Sequence, residues 1–237
     1  NPHSLAQCVE SMLLYQSNYP IRILVVNNGT LNLRGVLPQE SNIIHIKSPD
    51  GNIGWERGLK LGLSFSNSPL VVFSNDDVLV PYLSRHWLNL MASLIKENPL
   101  VAAVGPASNC VMGYQSIFAE PKDVGTLEVP FLIGFCVLFQ RRALDDAGGV
   151  DDSLPGGDDL DLSIRLKDRG YILKASKDVF IYHHGFQTGY RVRGTPDKPG
   201  GWNSREMQDA TNKALIAKHG YRKWQALFEP LGQLVNS

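Results

Sequence analysis

The 237-residue chain has no surplus of either charge sign: Lys and Arg number 23, and Asp and Glu number 23. Nucleic-acid binders and proteins held on anionic lipid by charge carry a basic surplus, so no nucleic-acid partner is indicated and no polybasic membrane face stands out. Cysteine is scarce. Cys8, Cys110 and Cys136 are odd in number and widely spaced, which suggests neither a disulfide framework nor a zinc site and fits a reducing compartment. No apolar run approaches the roughly 20 residues that a bilayer crossing needs. No leader of the charged-then-apolar kind opens the chain. The expectation is therefore a cytoplasmic protein without a transmembrane segment, with peripheral membrane association left open. Repeats and low-complexity linkers are also absent, and one compact domain is expected over 1–237, with halves at 1–105 and 106–237.

What is present is ordinary globular material, 43% hydrophobic, with short apolar runs alternating with helical patterns. Leu5, Val9, Met12 and Leu13 recur at helical spacing, and Asn1-Pro2-His3 leads straight into them, as it would in a chain that starts inside a longer one. Ile21 to Val26, Ile43 to Ile46, Leu70 to Phe73 and Val101 to Val104 read as buried strands. Helices are expected over Trp55 to Phe65 and from Pro81 onward. Such alternation predicts an α/β fold with an open, mostly parallel central sheet flanked by helices. The second half changes character: a longer strand over Val129 to Gln140, helices over Arg141 to Ala147 and Asp159 to Arg169, and strands at Tyr171 to Leu173 and Val179 to Tyr182. The stretch from Gly185 to Trp202 is rich in Gly, Pro and Arg and has no periodicity, so a mobile loop is expected at 185–202. Helices near Ser204 to Lys218 and Tyr221 to Phe228 close the chain.

Four segments could carry chemistry. Asn75-Asp76-Asp77 follows an apolar strand, at the sheet edge where open α/β folds bind ligands. Adjacent carboxylates there need a cation or hydrogen-bond donors, and a divalent ion with oxygen ligands would serve. A polar turn capping the next helix is the plainer reading. Gly156-Gly157-Asp158-Asp159-Leu160-Asp161 crowds three carboxylates at a helix start. Capping uses one or two of them, and a third leaves room for a general base. His183-His184 ends a strand, and neutral imidazole is a common metal ligand, although an isolated histidine there is more often surface polarity. Gly51-Asn52-Ile53-Gly54 lets a loop pass into a helix, with a phosphate or base contact about as reasonable a reading. Arg191, Arg193 and Lys198 could meet phosphates or could be ordinary surface charges.

Taken in order, these segments resemble the family 2 glycosyltransferases of the GT-A fold. "ILVVNNGT" is similar to the family's strand and turn that meet the nucleotide base. "GNIGWERGLKLGL" resembles its glycine-rich loop and helix, and "VVFSNDDVLVP" its DxD-type metal motif. "FLIGFCVLFQRRALDDAGGVDDSLPGGDDLDLSIRLKDRGY" resembles its acceptor-side segment with the catalytic acid pair, and "VFIYHHG" its late metal-binding histidine. The chain departs from the family at several places. It begins where the family's opening strand would end. Asn75 stands where the DxD motif usually has its first Asp, Asn27 where an acid is common, and Asp158-Asp159 where Glu-Asp is usual. The Asn variants resemble the bacterial rhamnosyltransferase-like branch.

The resemblance implies an inverting transfer of a sugar from a nucleoside-diphosphate sugar, UDP- or dTDP-linked, to a hydroxyl of a glycan or lipid-linked saccharide, as in polysaccharide biosynthesis. A divalent ion, Mn²⁺ or Mg²⁺, would sit on Asp77 and His183. Asp159 would be the general base and Asp158 would hold the acceptor. Asn27 and Asn52 would line the base pocket, Asn75 or Asp76 would contact the ribose or a metal-bound water, and Arg191 would meet the phosphates. Asp77 and His183 are expected on opposite walls of one cleft. Two rivals remain: a catalytically impaired sugar-nucleotide-binding module, and a metal-dependent phosphohydrolase, for which no phosphate-binding lysine or aspartyl nucleophile follows the first strand.

Overall fold

The structure, a computed structural model, describes residues 2–15, 18–29, 32–33, 35–119, 125–185 and 205–229. In chain order the elements are α1 (Pro2–Leu14), β1 (Ile23–Asn27), β2 (Ile43–Lys47), α2 (Trp55–Ser64), β3 (Leu70–Ser74), β4 (Val78–Leu79), α3 (Trp87–Glu97), β5 (Val101–Ala107), β6 (Thr126–Glu128), β7 (Cys136–Gln140), α4 (Arg141–Asp146), α5 (Asp158–Asp168), β8 (Ile172–Phe180), β9 (Tyr182–His183), α6 (Arg205–His219) and α7 (Tyr221–Ala226).

The α/β class and the helix-flanked central sheet are as expected. That sheet has the order β3-β7-β5-β8-β6. It is mixed rather than mostly parallel: β5 runs parallel to β8, while β7 lies antiparallel to both β3 and β5, and β6 antiparallel to β8. β1 and β2 form a separate parallel pair, and β4 and β9 an antiparallel one. β5 is buried along its whole length, because helices cover both faces. Trp87, Met91 and Ile95 of α3 and Cys8 and Met12 of α1 pack on one face with Val104 and Leu138. Leu144 of α4 and Leu162 and Leu166 of α5 pack on the other with Ala103 and Leu173. Met91 is wholly excluded from solvent and Leu138 nearly so; truncating either to Ala would cost about 2–5 kcal/mol.

Three expectations for single elements change. The strands expected at 171–173 and 179–182 fall largely within one strand, β8. The helix expected from Pro81 is divided into a short 3₁₀ turn over Tyr82–Ser84 and then α3. The buried Ser84 hydroxyl accepts the Phe180 N–H at 3.0 Å, which docks the turn on β8 before α3 can begin. The strand expected over Val129 to Gln140 exists only from Cys136. Upstream, backbone N–H groups find side chains instead of a ladder: Leu132 donates to Ser163 Oγ, Ile133 to Gln115 Oε1 and Gly134 to an Asp159 carboxylate oxygen. Gln115 reaches this stretch by lying over Gly105, where an added Cβ would fall 2.4 Å from its Nε2, so that β5 position admits no side chain.

A cleft of about 2240 Å³ opens beside β1 and the main sheet. It is lined by residues of β1 and β3, of the loops that follow them and of the start of α5.

Candidate active site

Asp77 and His183 are brought together by backbone pairing. Val78 of β4 is opposite His183 of β9, and the His184 N–H donates to the Asp77 carbonyl at 3.0 Å. Asp77 is 5% exposed, and His183 Nε2 lies 3.2 Å from its Oδ1. Both side chains line one cleft, but from paired neighbouring strands rather than from the opposite walls expected. Asn109 clamps the histidine backbone, accepting its N–H at 2.9 Å and donating to its carbonyl at 3.0 Å. The ring stacks on Phe135 with centroids 5.2 Å apart.

His183 Nδ1 lies 2.8 Å from the Cys110 carbonyl. A carbonyl only accepts, so Nδ1 carries a proton; Nε2, 3.1 Å from the Asn75 amide, donates to Asp77 when the ring is protonated and presents a lone pair to a cation when it is neutral. Burial pulls the imidazole pKa down, but hydrogen bonds to Asp77 and the Cys110 carbonyl outweigh it and leave it above its ordinary value. The 3.2 Å spacing suits a divalent ion, because two adjacent octahedral ligands at about 2.1 Å from the ion sit about 3 Å apart. Among the described residues no group of three or more His, Cys, Asp or Glu could hold a metal, so these two side chains would be only part of a coordination shell. Asp76, next in the chain, is exposed on the cleft wall.

The acid pair arises from the turn before α5. Gly157 is left-handed, with φ 73°, and a Cβ there would meet Thr211 of α6 at 2.8 Å, so glycine is required on two counts. Asp158 Oδ2 accepts the Trp55 indole N–H at 3.2 Å. Burial first, then the charges of Asp159 and Glu56, push its carboxyl up to about 8. Asp159 accepts the Gly134 N–H at 3.2 Å and the Leu160 N–H at 2.8 Å. Burial raises its pKa as well, against those bonds. Asp161, on the far side of the same turn, is fully buried and meets Arg165 at 2.7 Å, Lys218 at 2.6 Å and His219 at 2.7 Å. It joins α5 to α6 and does not line the cleft.

Asn27, Asn52, Asn75, Asp76, Asp77, Asp158, Asp159 and His183 all line the cleft; Arg191 and the loop at 185–202, apart from Gly185, lie outside the described residues. Three contributors are missing from the sequence reading. Asn28 ties the end of β1 to the glycine loop: it donates to Asn52 Oδ1 and the Gly54 carbonyl and accepts the Ile53 N–H. Asn109 and Trp55 likewise act through partners far away in sequence, and only the adjacent Asn27-Asn28 pair hinted at such a role.

Residues 1–148 match the sequence model of the family described as "Glycosyl transferase family 2". An uncharacterised protein of Mycobacterium tuberculosis is 29% identical over 161 residues, which are 60% of this chain and 58% of that protein; the chain thus spans under two thirds of the relatives' length. Among solved structures, the mannosyltransferase PcManGT of Pyrobaculum calidifontis, in complex with GDP-Man and Mn²⁺, superposes with a TM-score of 0.58 at 19% identity, covering 98% of this chain and 77% of its own. GalNAc-T7 with UDP, GalNAc and Mn²⁺ gives 0.60 at 11% identity, covering 74% of this chain and 40% of its own. At these identities the two structures speak for the fold.

Proposed function

Because the chain belongs to glycosyl transferase family 2, we propose that it is a metal-assisted glycosyltransferase, moving a sugar with inversion from a nucleoside-diphosphate sugar to a hydroxyl of a saccharide acceptor. The observation that carries this reading is the meeting, in one cleft, of a buried carboxylate paired with a half-buried imidazole and a separate pair of carboxyls with raised pKa. The fold neighbours held with nucleotide or nucleotide sugar and Mn²⁺ support it.

In this reading Asp77 and His183 hold the divalent ion. When bound, the ion neutralises the diphosphate leaving group. The remaining work falls to the chain. His183 keeps its Nε2 lone pair towards the cleft because Nδ1 is committed to Cys110. The loop at 51–54, fixed by Asn28, together with Asn27, faces the base of the donor. Asp159 takes the acceptor hydroxyl proton as the new bond forms at the anomeric carbon; its raised pKa makes it a stronger base than a solvated carboxylate. Asp158, at about 8, is protonated at neutral pH and hydrogen-bonds the acceptor. Like-charged neighbours sharing one proton is a common route to such a division of roles. UDP- and dTDP-sugars are the donors favoured.

Among the described residues no helix is long and apolar enough to cross a membrane. The test is a panel of UDP-, dTDP- and GDP-sugars, dTDP-rhamnose included, assayed for nucleotide release with and without Mn²⁺. Mn²⁺-dependent release from one donor, accelerated by a saccharide acceptor, is expected. Binding of a donor without release under any condition would instead identify a sugar-nucleotide-binding module.

A further inference from the structure

One contact joins the donor-side and acceptor-side walls of the cleft directly. Trp55 is the first residue of α2, and its indole N–H reaches Asp158 Oδ2 at 3.2 Å across 103 residues of chain. Both ends of this contact are held. On the Trp55 side, Asn28 fixes residues 52–54, and Gly54, with φ 87°, turns the loop into the helix. On the Asp158 side, Gly157 packs beneath Thr211 and Leu215 of α6. The indole also lines the cleft wall, where a ligand spanning both sides would meet it.

An indole N–H only donates. It cannot take a proton from an acceptor, so it has no part in the transfer itself. Its bond occupies one Asp158 oxygen from the α2 side and leaves the other for the acceptor. The geometry points to Trp55 as a positioning residue, which sets the orientation of the Asp158 carboxyl from the donor-side loop. The inference rests on the reading of Asp158 as the group that holds the acceptor. Its consequence is that a change at the glycine loop reaches the acceptor site through one hydrogen bond.

The indole bond favours the ionised carboxylate, while burial and the charges of Asp159 and Glu56 oppose ionisation. In protein carrying ¹⁵N-labelled tryptophan, free of substrate, the Trp55 indole proton signal should therefore move with pH, with a midpoint near 8. That signal is the one of four tryptophans lost in Trp55→Phe. The movement should vanish in Asp158→Asn. In Trp55→Phe, which keeps a ring but loses the donor, the Asp158 titration followed by carboxyl ¹³C shifts should move to higher pH. Kinetically, Trp55→Phe should raise acceptor KM roughly 3- to 10-fold, the size expected for one uncharged hydrogen bond, and leave donor affinity unchanged. Added to Asp158→Asn it should cost nothing more. A flat indole signal through this range, an unmoved Asp158 titration in Trp55→Phe, or additive losses in the double variant would overturn the inference. The titrations need no turnover, so their failure is distinct from a failure to find sugar transfer, which would overturn the proposed function.

Discussion

Asp158, Asp159 and Asp161 occupy one turn of α5, yet its two sides treat them in opposite ways. On the α6 side, Asp161 is buried among Arg165, Lys218 and His219. Burial pushes its carboxyl up, but these partners outweigh it and hold the pKa below the ordinary value. On the cleft side, Asp158 and Asp159 sit half-buried beside each other, with backbone and indole donors and, among the described residues, no ion pair. Both are pushed up. A carboxylate supplied with cations is a brace, whereas a carboxyl kept from them is available for proton chemistry.

The sharpest way to break this comparison is to remove basicity on the cleft side. Asp159→Asn should lower kcat by ~10²–10⁴-fold, with donor binding retained in a calorimetric titration, because the loss falls in turnover. Transfer at near wild-type rate would exclude Asp159 as the base, and an inactive Asp158→Asn beside it would exchange the two roles.

On the brace side the loss should be in stability. Asp161→Asn leaves the half-buried Arg165 guanidinium without its anion, at a cost of about 3 kcal/mol, or roughly 6–12 °C in Tm. The pH dependence gives the sign. A carboxyl held below its unfolded value contributes stability that is present above that value, about 3.9, and is lost as pH falls through the folded one. Wild type should therefore lose stability steeply in acid, and Asp161→Asn less steeply.

Asp158→Asn should do the reverse. With its folded pKa raised to about 8, the folded state keeps a proton that the unfolded chain has released. Stability therefore falls as pH rises between about 4 and 8. The amide removes that penalty, so the stability of the variant relative to wild type should grow by about 2–3 kcal/mol between pH 5 and pH 7. A variant equally destabilised at both pH values would refute the assignment. The smallest effect belongs to Asp152, whose exposed pairs with Arg57 and Lys60 are screened by solvent. Chemical denaturation of Asp152→Asn should match that of wild type.

Much of this contrast was legible before the fold was known, because three carboxylates at one helix start exceed what capping uses. Which of them faced the cleft was not, since Asp161's partners Lys218 and His219 lie on α6, far along the chain. Strand and helix patterns were readable wherever burial set the period. The apolar stretch from Val129 to Phe135 misled because it is buried like a strand while its N–H groups bond to Gln115, Asp159 and Ser163. Asn27 and Asn28 are indistinguishable in sequence, and only the loop at 52–54 shows which of them is committed to structure. The Trp55–Asp158 contact carries no local signal at all.

In the proposed function, the paired Asp77 and His183 serve a divalent ion whose coordination a nucleoside diphosphate completes. Calorimetric titration of Mn²⁺ into the protein with UDP, dTDP or GDP tests it most directly, for wild type, Asp77→Asn and His183→Ala. The account predicts nucleotide-dependent Mn²⁺ binding that weakens by roughly tenfold or more in each variant. Mn²⁺ binding unchanged in both variants, or no binding by wild type with any of the three nucleotides, would contradict it.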